Sequence, residues 1–227
     1  MHTENGRSKY GLVGRGGDKL AEFLVRYPVD FRGKNVLDIG SSTGGWTEIA
    51  LRAGAEKVVA VEKGTKQMRP ELAADPRVEL HEKTDIFGKR LSDLFLPRHS
   101  FVRLSLQGAQ SRSSRDSHDL LEIKSAESPD KFNIILADVS FVSVRKVLEH
   151  VKGWGNEFIV LFKPQFEARP EDLNSGIVKN ERIRREIIQS FEQWIKSQGL
   201  IVKAKMDMET EGRYGNTERI YYLAAGL

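Results

Sequence analysis

Val36-Leu37-Asp38-Ile39-Gly40-Ser41-Ser42-Thr43-Gly44-Gly45-Trp46, followed by Val58-Val59-Ala60-Val61-Glu62, decides how this chain is read. The first run is a buried strand, a glycine turn and the start of a helix. The second is a strand ending in a carboxylate. Such a unit binds an adenosine-containing cofactor at the carboxyl ends of a parallel sheet. A dinucleotide fold uses G-x-G-x-x-G, whose second glycine lets the backbone approach a pyrophosphate. Here the glycines fall as Gly40-x-x-x-Gly44-Gly45, a poor match. Asp38, at the end of the first strand, would also repel a diphosphate. It suits the cationic amino-acid end of S-adenosyl-L-methionine instead. Glu62 lies 22 positions after Gly40, placed to accept hydrogen bonds from two ribose hydroxyls, with Lys63 beside it. Thr84 and Asp85 follow a third short strand near Val78 to Glu82. Asp85 could accept from an adenine amino group. The expected cradle is therefore Asp38, Gly40, Ser41, Ser42, Thr43, Gly44, Gly45, Trp46, Glu62, Lys63, Thr84 and Asp85. A methyl-transferring enzyme fits this set best. A nicotinamide enzyme and a ligand-free strand-turn-helix are the weaker readings.

The chain has 227 residues, enough for one α/β domain with a sizeable core. Its 39% hydrophobic and 30% charged content is ordinary for a globular protein. The net charge of +4 leans toward a polyanionic partner, against the plainer reading of a slightly basic solvated surface. There are no cysteines, which excludes disulfides, thiolate metal sites and the cysteine nucleophile of 5-methylcytosine enzymes. No metal is expected. Apolar runs such as Phe158-Ile159-Val160-Leu161-Phe162 are of strand length, and no leader or membrane span is visible. A cytoplasmic location is the default expectation.

Along the chain, the polar, glycine-rich start through Gly14-Arg15-Gly16-Gly17 reads as loose. A helix is predicted from Asp18 to Tyr27, with Leu20, Phe23 and Leu24 on one face. Strands follow at Asn35 to Ile39 and Lys57 to Glu62, around a helix that ends before Gly54. Phe132 to Asp138 is a continuous apolar run ending in a carboxylate, as in a strand covered on both faces. A helix from Val142 to Lys152 and a strand from Phe158 to Lys163 come next. Glu181 to Gln198 is the clearest helix, striped by Ile183, Ile187, Ile188, Phe191, Trp194 and Ile195 and closed by Gly199. Leu200 to Met206 and Glu218 to Ala224, with no helix between them, predict an antiparallel pair at the sheet edge. The alternation predicts a single doubly wound α/β domain of Rossmann-like class I type, with a mostly parallel seven-stranded sheet and an antiparallel edge. Residues 1–14 are expected to form a flexible segment and 15–227 the cofactor-dependent domain.

Residues 97–131 break the rhythm as an insertion. Arg98 to Arg115 holds four arginines and no acid. A plain surface loop and an arm that orders on RNA are both compatible with it.

Methyl transfer requires in-line geometry and a deprotonated acceptor. If the acceptor is a ribose hydroxyl, a lysine can take its proton. Candidates belong at the carboxyl ends of central strands. Asp138 and Lys163 stand there, each closing an apolar run, and Pro164 fixes the turn after Lys163. A salt bridge capping two strand ends is the bland alternative. Lys19 and Glu218 alone would be unremarkable.

Five phrases, in order, are more specific. They are Gly14-Arg15-Gly16-Gly17-Asp18-Lys19-Leu20, the Asp38 to Trp46 turn, Ala137-Asp138-Val139-Ser140-Phe141, Phe162-Lys163-Pro164-Gln165-Phe166-Glu167, and Gly215-Asn216-Thr217-Glu218. Together they resemble the TlyA branch of the FtsJ-like ribosomal RNA methyltransferases, often called hemolysins. The likeness runs from about Gly14 to Ala225. It implies S-adenosyl-L-methionine as cofactor, ribosomal RNA or ribosomal subunits as partner, and 2′-O-methylation of ribose by a Lys-Asp-Lys-Glu tetrad. By motif position that tetrad is Lys19, Asp138, Lys163 and Glu218. Lys163 would be the base, and Asp138 would orient it and face the methyl donor. Lys19 and Glu218 would complete the charge network and position the ribose.

Two departures stand out. Members of this branch carry a small RNA-binding domain ahead of the catalytic one, and only 18 residues precede Lys19 here. The chain is expected to lack that domain, finding RNA by other means or being a catalytic fragment. The stretch after the Lys163 phrase is altered to Ala168-Arg169-Pro170-Glu171-Asp172. Competing functions remain. Adenine amino-methylating enzymes use Asn/Asp-Pro-Pro-aromatic where this chain has Asp138-Val139-Ser140-Phe141. A small-molecule acceptor would not need Lys19 or the basic lean. A membrane-active protein would need a spanning helix or a barrel-forming set of strands.

Overall fold

The computed structural model describes residues 8–94, 131–208 and 216–226. The Arg98 to Arg115 stretch, Gly215 and all of the expected 97–131 insertion except Lys131 lie outside the described residues.

Five parallel strands form the body of one sheet: β1 Asn35–Ile39, β2 Lys57–Val61, β3 Val78–His81, β4 Phe132–Ala137 and β5 Gly155–Phe162. β6 Leu200–Asp207 and β7 Arg219–Ala225 complete it in the order β3-β2-β1-β4-β5-β7-β6. β7 runs antiparallel to both β5 and β6, so the last two strands are the expected antiparallel pair at one edge. β7 comes last in the chain yet inserts inside β6. The helices are α1 Arg15–Arg26, α2 Gly45–Arg52, α3 Pro70–Ala73, α4 Leu91–Leu94, α5 Val144–Val151 and α6 Glu181–Ser197.

The apolar runs predicted as central strands are the core. Val36, Leu37, Val58, Ile134, Ile135, Leu136, Phe158, Ile159 and Val160 are buried. Alternate residues of each strand feed two apolar layers, one on each face of the sheet. That two-faced burial is why these strands read as continuous hydrophobic runs. α6 lays Ile188, Phe191 and Ile195 on one layer, and α1 lays Leu20 and Phe23 on the other. Leu24 sits at the margin. Asn180 caps α6 by accepting from the backbone N–H groups of Arg182 and Ile183. Gly54 and Gly199 end α2 and α6 at positive φ, 96° and 73°.

One expectation is overturned. The glycine-rich start is not loose through Gly17, because α1 already begins at Arg15. A Cβ on Gly17 would lie 3.1 Å from the Gly45 carbonyl oxygen, and one on Gly45 would lie 2.7 Å from the Gly17 nitrogen. The glycines let α1 dock on the start of α2, and this packing outweighs their poor helix propensity.

Strand order reverses between β1 and β4, which leave the sheet in opposite lateral directions. A crevice outside the carboxyl ends of the strands at such a switch point is where open α/β sheets bind ligands.

Candidate active site

Asp38 and the turn after β1 form the floor of that crevice. Asp38 is fully buried. One carboxylate oxygen accepts the Thr47 hydroxyl at 2.6 Å, while the other, Oδ1, has no hydrogen-bond partner. Burial pushes its pKa up to about 7, with the Asp138 and Glu62 carboxylates adding to the rise and Thr47 opposing it. The turn passes over it with Gly40 at φ 79°, where a Cβ would meet the Asp138 carbonyl oxygen at 2.8 Å. Only glycine allows the β1 and β4 loops to approach so closely. Ser41 is buried with its hydroxyl unpartnered. Ser42 takes a positive φ of 47°, and Gly44, at φ 94°, leads into α2. Thr43 Oγ1 lies against Gly14, where an added Cβ would come within 2.5 Å. Trp46 is buried, and its indole N–H donates to the Gly16 carbonyl at 2.8 Å, so it braces α2 against α1.

Glu62 follows β2. Its carboxylate accepts the Ser42 N–H at 2.9 Å and the Gly64 N–H at 2.7 Å, tying the glycine turn to the second strand end. The Thr84 N–H donates to the Glu62 carbonyl at 3.0 Å. Asp85 accepts the Phe87 N–H and pairs with Lys63 at 3.1 Å. The Lys63 ammonium holds the Asp85 carboxyl below its usual range. Ser42, Glu62, Thr84 and Asp85 thus converge outside β1, β2 and β3.

The tetrad residues meet as two ion pairs. Lys163 Nζ lies 2.7 Å from Asp138 Oδ1 and donates to the Ser140 hydroxyl at 3.0 Å. The contact with Asp138 is close but not aligned as a hydrogen bond, since that oxygen has no such partner. Lys19 pairs with Glu218, their side chains only 15% and 5% exposed. The fold explains both pairs. The Asp138 N–H bonds to Ile39, at the end of β1. Phe162 opposes Arg219 across the antiparallel β5 and β7, so Lys163, just after Phe162, and Glu218, just before Arg219, come next at that end. α1 links the pairs. A Cβ on Gly16 would lie 3.2 Å from Asp138 Oδ2, and Lys19 comes one helical turn later.

Sequence reasoning missed several contributors. Thr47, one turn into α2, holds Asp38. Ser140 sits inside a quoted phrase and fixes the Lys163 amine. Asn216 is buried, accepts the Val178 N–H and donates to the Gly176 carbonyl, anchoring the approach to Glu218. Glu167 accepts the Ser143 hydroxyl and the Val144 N–H, each at 2.7 Å. The only signal for the last three was their place in, or beside, the quoted phrases.

A buried carboxylate with a free oxygen calls for a cation, and the unpartnered Ser41 hydroxyl beside it calls for a polar ligand. S-adenosyl-L-methionine, with an ammonium and a sulfonium, matches that donor set better than any diphosphate. Fold and site together define a Rossmann-like class I methyltransferase.

The model of the FtsJ-like methyltransferase family matches residues 12–225, and the chain belongs to that family, whose cofactor is S-adenosyl-L-methionine. It is 29% identical over 213 residues to the 23S rRNA (cytidine-2′-O)-methyltransferase TlyA of Campylobacter jejuni, covering 92% of this chain and 70% of that protein. It is 29% identical to the putative rRNA methyltransferase YqxC of Bacillus subtilis, covering 93% of this chain and 65% of that one. The chain thus spans about two thirds of the length of these relatives. A putative hemolysin from Lactococcus lactis superposes with a TM-score of 0.74 at 28% identity, covering 94% of this chain and 88% of that one. Among the described residues, no helix is long and apolar enough to cross a membrane.

Proposed function

We propose that this chain transfers the methyl group of S-adenosyl-L-methionine to a ribose 2′-hydroxyl of ribosomal RNA. The observation that carries the proposal is the Lys163–Asp138 pair, set beside the Lys19–Glu218 pair at the strand ends where Asp38 keeps a free oxygen. The name of the Campylobacter jejuni relative supports the same acceptor, and that of the Bacillus subtilis relative supports rRNA as the substrate. Residues 15–227 are assigned as the methyltransferase domain, with 97–131 as its insertion, and the place of work is the cytoplasm, where ribosomes are.

The cofactor supplies an electrophilic methyl group on a sulfonium sulfur. The chain supplies the rest. Asp38 would hold the ammonium end of the donor, Glu62 the ribose hydroxyls of its adenosine and Asp85 the adenine amino group. Lys163, after giving its own ammonium proton to water, takes the proton from the 2′-hydroxyl as the oxygen attacks, which returns it to the ion-paired form. Asp138 orients Lys163 and would present a negative charge to the sulfonium, stabilising the donor against its own burial. Ser140 restricts the amine to one direction, which fixes the line of attack. Lys19 and Glu218 close the charge network and position the ribose. The four charges alternate in sign, so none is buried unpaired.

The test is transfer of labelled methyl to purified ribosomal subunits and to intact ribosomes, followed by nuclease mapping. The expected product carries label on a ribose 2′-oxygen, seen as a bond resistant to alkali. Label on a base, or no transfer to RNA, would overturn the proposal.

A further inference from the structure

Glu167 is a buried acid that no step above uses. Its side chain is 3% exposed, and burial pushes its carboxyl above the usual range. It lies four residues after Lys163, on the same loop. From there it reaches the β4–α5 loop, the one that carries Asp138 and Ser140. One carboxylate oxygen accepts the Val144 N–H, at the first turn of α5. The other accepts the Ser143 hydroxyl and, at 3.2 Å, the Arg145 Nε–H. Arg145 continues the chain of contacts into α6. Its guanidinium lies over the Phe191 and Trp194 rings at 5.5 and 5.7 Å and donates to the Ser190 hydroxyl at 3.1 Å.

The two catalytic loops are therefore joined twice. Lys163 bridges to Asp138 and Ser140 at one end, and Glu167 bridges to Ser143, Val144 and Arg145 at the other. Between these points the β4–α5 loop turns through Phe141 at φ +65°, a left-handed conformation unusual for a bulky residue. Such a conformation persists only where its surroundings over-determine it. The Phe141 and Phe166 rings, 5.4 Å apart, add a third contact between the same loops. Pinning both ends leaves Asp138 and Lys163 little freedom to separate.

We infer that Glu167 is a positioning residue for methyl transfer: its carboxylate clamps the start of α5 to the loop after β5 and thereby sets the Lys163–Asp138 geometry. Glu167 touches no reactant. It acts through Lys163, and the inference rests on the proposed role of Lys163 as the base.

The experiment compares the intact chain with Glu167→Gln, which keeps the shape but turns one of the two accepting oxygens into an N–H donor and removes the charge that holds Arg145. The stability control is Val151→Ala, which leaves a cavity in the core at the far end of α5, where Val151 is fully buried. Three readouts are taken well below unfolding. In single-turnover transfer of labelled methyl to ribosomal subunits, Glu167→Gln is expected to lose at least tenfold in rate, with cofactor and RNA affinity within about threefold of the parent. Val151→Ala is expected to stay within twofold in rate, although its melting temperature falls. In protein carrying labelled lysine, the Lys163 ε-methylene resonance, assigned by its loss in Lys163→Ala, is expected to move in Glu167→Gln and stay in place in Val151→Ala. That last readout needs no RNA. An unmoved Lys163 resonance, or a rate for Glu167→Gln no lower than for Val151→Ala, would overturn the clamp. A parent chain that methylates no RNA, with the resonance still shifting, would sink the functional reading and leave the clamp standing.

Discussion

The two ends of the sheet use similar residues to opposite effect. At the amino end, Lys34 pairs with Glu157 at 3.1 Å, Tyr222 donates its hydroxyl to the same carboxylate, and Asn133 accepts the Asn35 N–H at 2.8 Å. Burial and the Glu157 charge push the Tyr222 hydroxyl up, keeping it a neutral donor. At the carboxyl end, Asp38, Ser41, Asp138 and Gln165 each leave a buried oxygen without a hydrogen bond. Among the described residues these are all the buried side-chain oxygens so left. A folded chain satisfies its buried polar groups nearly everywhere. Apart from Asp138 Oδ1, which the Lys163 ammonium approaches at 2.7 Å, this unmet capacity is gathered at the end of the sheet where the proposed cofactor would bind.

The sharpest break of that contrast is Lys163→Ala. It should lower labelled-methyl transfer by about 1,000-fold, in line with loss of a general base, while calorimetry finds S-adenosylhomocysteine bound within a few-fold of normal. Retention of most activity would remove Lys163 from the proton's path. Asp38→Asn comes next. It keeps a partner for Thr47 but removes the charge, and should weaken cofactor binding by about 100-fold, as truncating a buried charge pair does. Unchanged affinity would mean that the free oxygen serves no cation.

A third test uses pH. The Asp38 carboxyl titrates near 7 in the folded chain against an ordinary value of 3.8. The folded state therefore holds its proton more tightly than the unfolded one. Its contribution to stability is intact below pH 3.8 and is lost as pH rises through about 7. A cationic ligand needs the ionised form, so the sign reverses for binding. Affinity for S-adenosylhomocysteine should fall as pH drops below 7, by up to about tenfold per unit, and binding there should release a proton to the buffer. Asp38→Asn should flatten both effects. The smallest effect is expected at the other end of the sheet. Glu157→Gln breaks a partly buried pair but keeps an oxygen for the Tyr222 hydroxyl, so it should cost about 1 kcal/mol in thermal unfolding and leave transfer and cofactor affinity unchanged. Lost activity there would erase the distinction between the ends.

Much of this was legible in the residues. β1, β2, β4 and β5 were readable because burial on both faces writes an uninterrupted apolar run. Asp138 and Lys163 stood out because an ionisable group closing such a run needs a reason to be there, and Asp38 because a carboxylate just before the glycine turn suits a cationic ligand. The insertion of β7 between β5 and β6 was not, since pairing partners are chosen by tertiary contact and not by local pattern. Gly16 and Gly17 misled, because a glycine that permits close helix packing looks the same, in one sequence, as a glycine that loosens a loop. Lys19 and Glu218, 199 positions apart, came only from resemblance, and nothing local pairs them. Glu167 lay in plain view within the Lys163 phrase, and its partners Ser143 and Arg145 gave no periodic sign.

The contact between Gly17 and Gly45 carries one more consequence. Here the active centre depends on atoms that are missing. A methyl group on Gly45 would lie 2.7 Å from the Gly17 backbone nitrogen, so the first helix must shift, whereas one on Gly17, 3.1 Å from the Gly45 carbonyl oxygen, asks its neighbours to give by a few tenths of an ångström. A survey of all substitutions along the chain should thus find Gly45 as unforgiving as the charged positions, with Gly17 the milder of the two. An engineer seeking to harden this enzyme by swapping helical glycines for alanine must leave Gly45 alone.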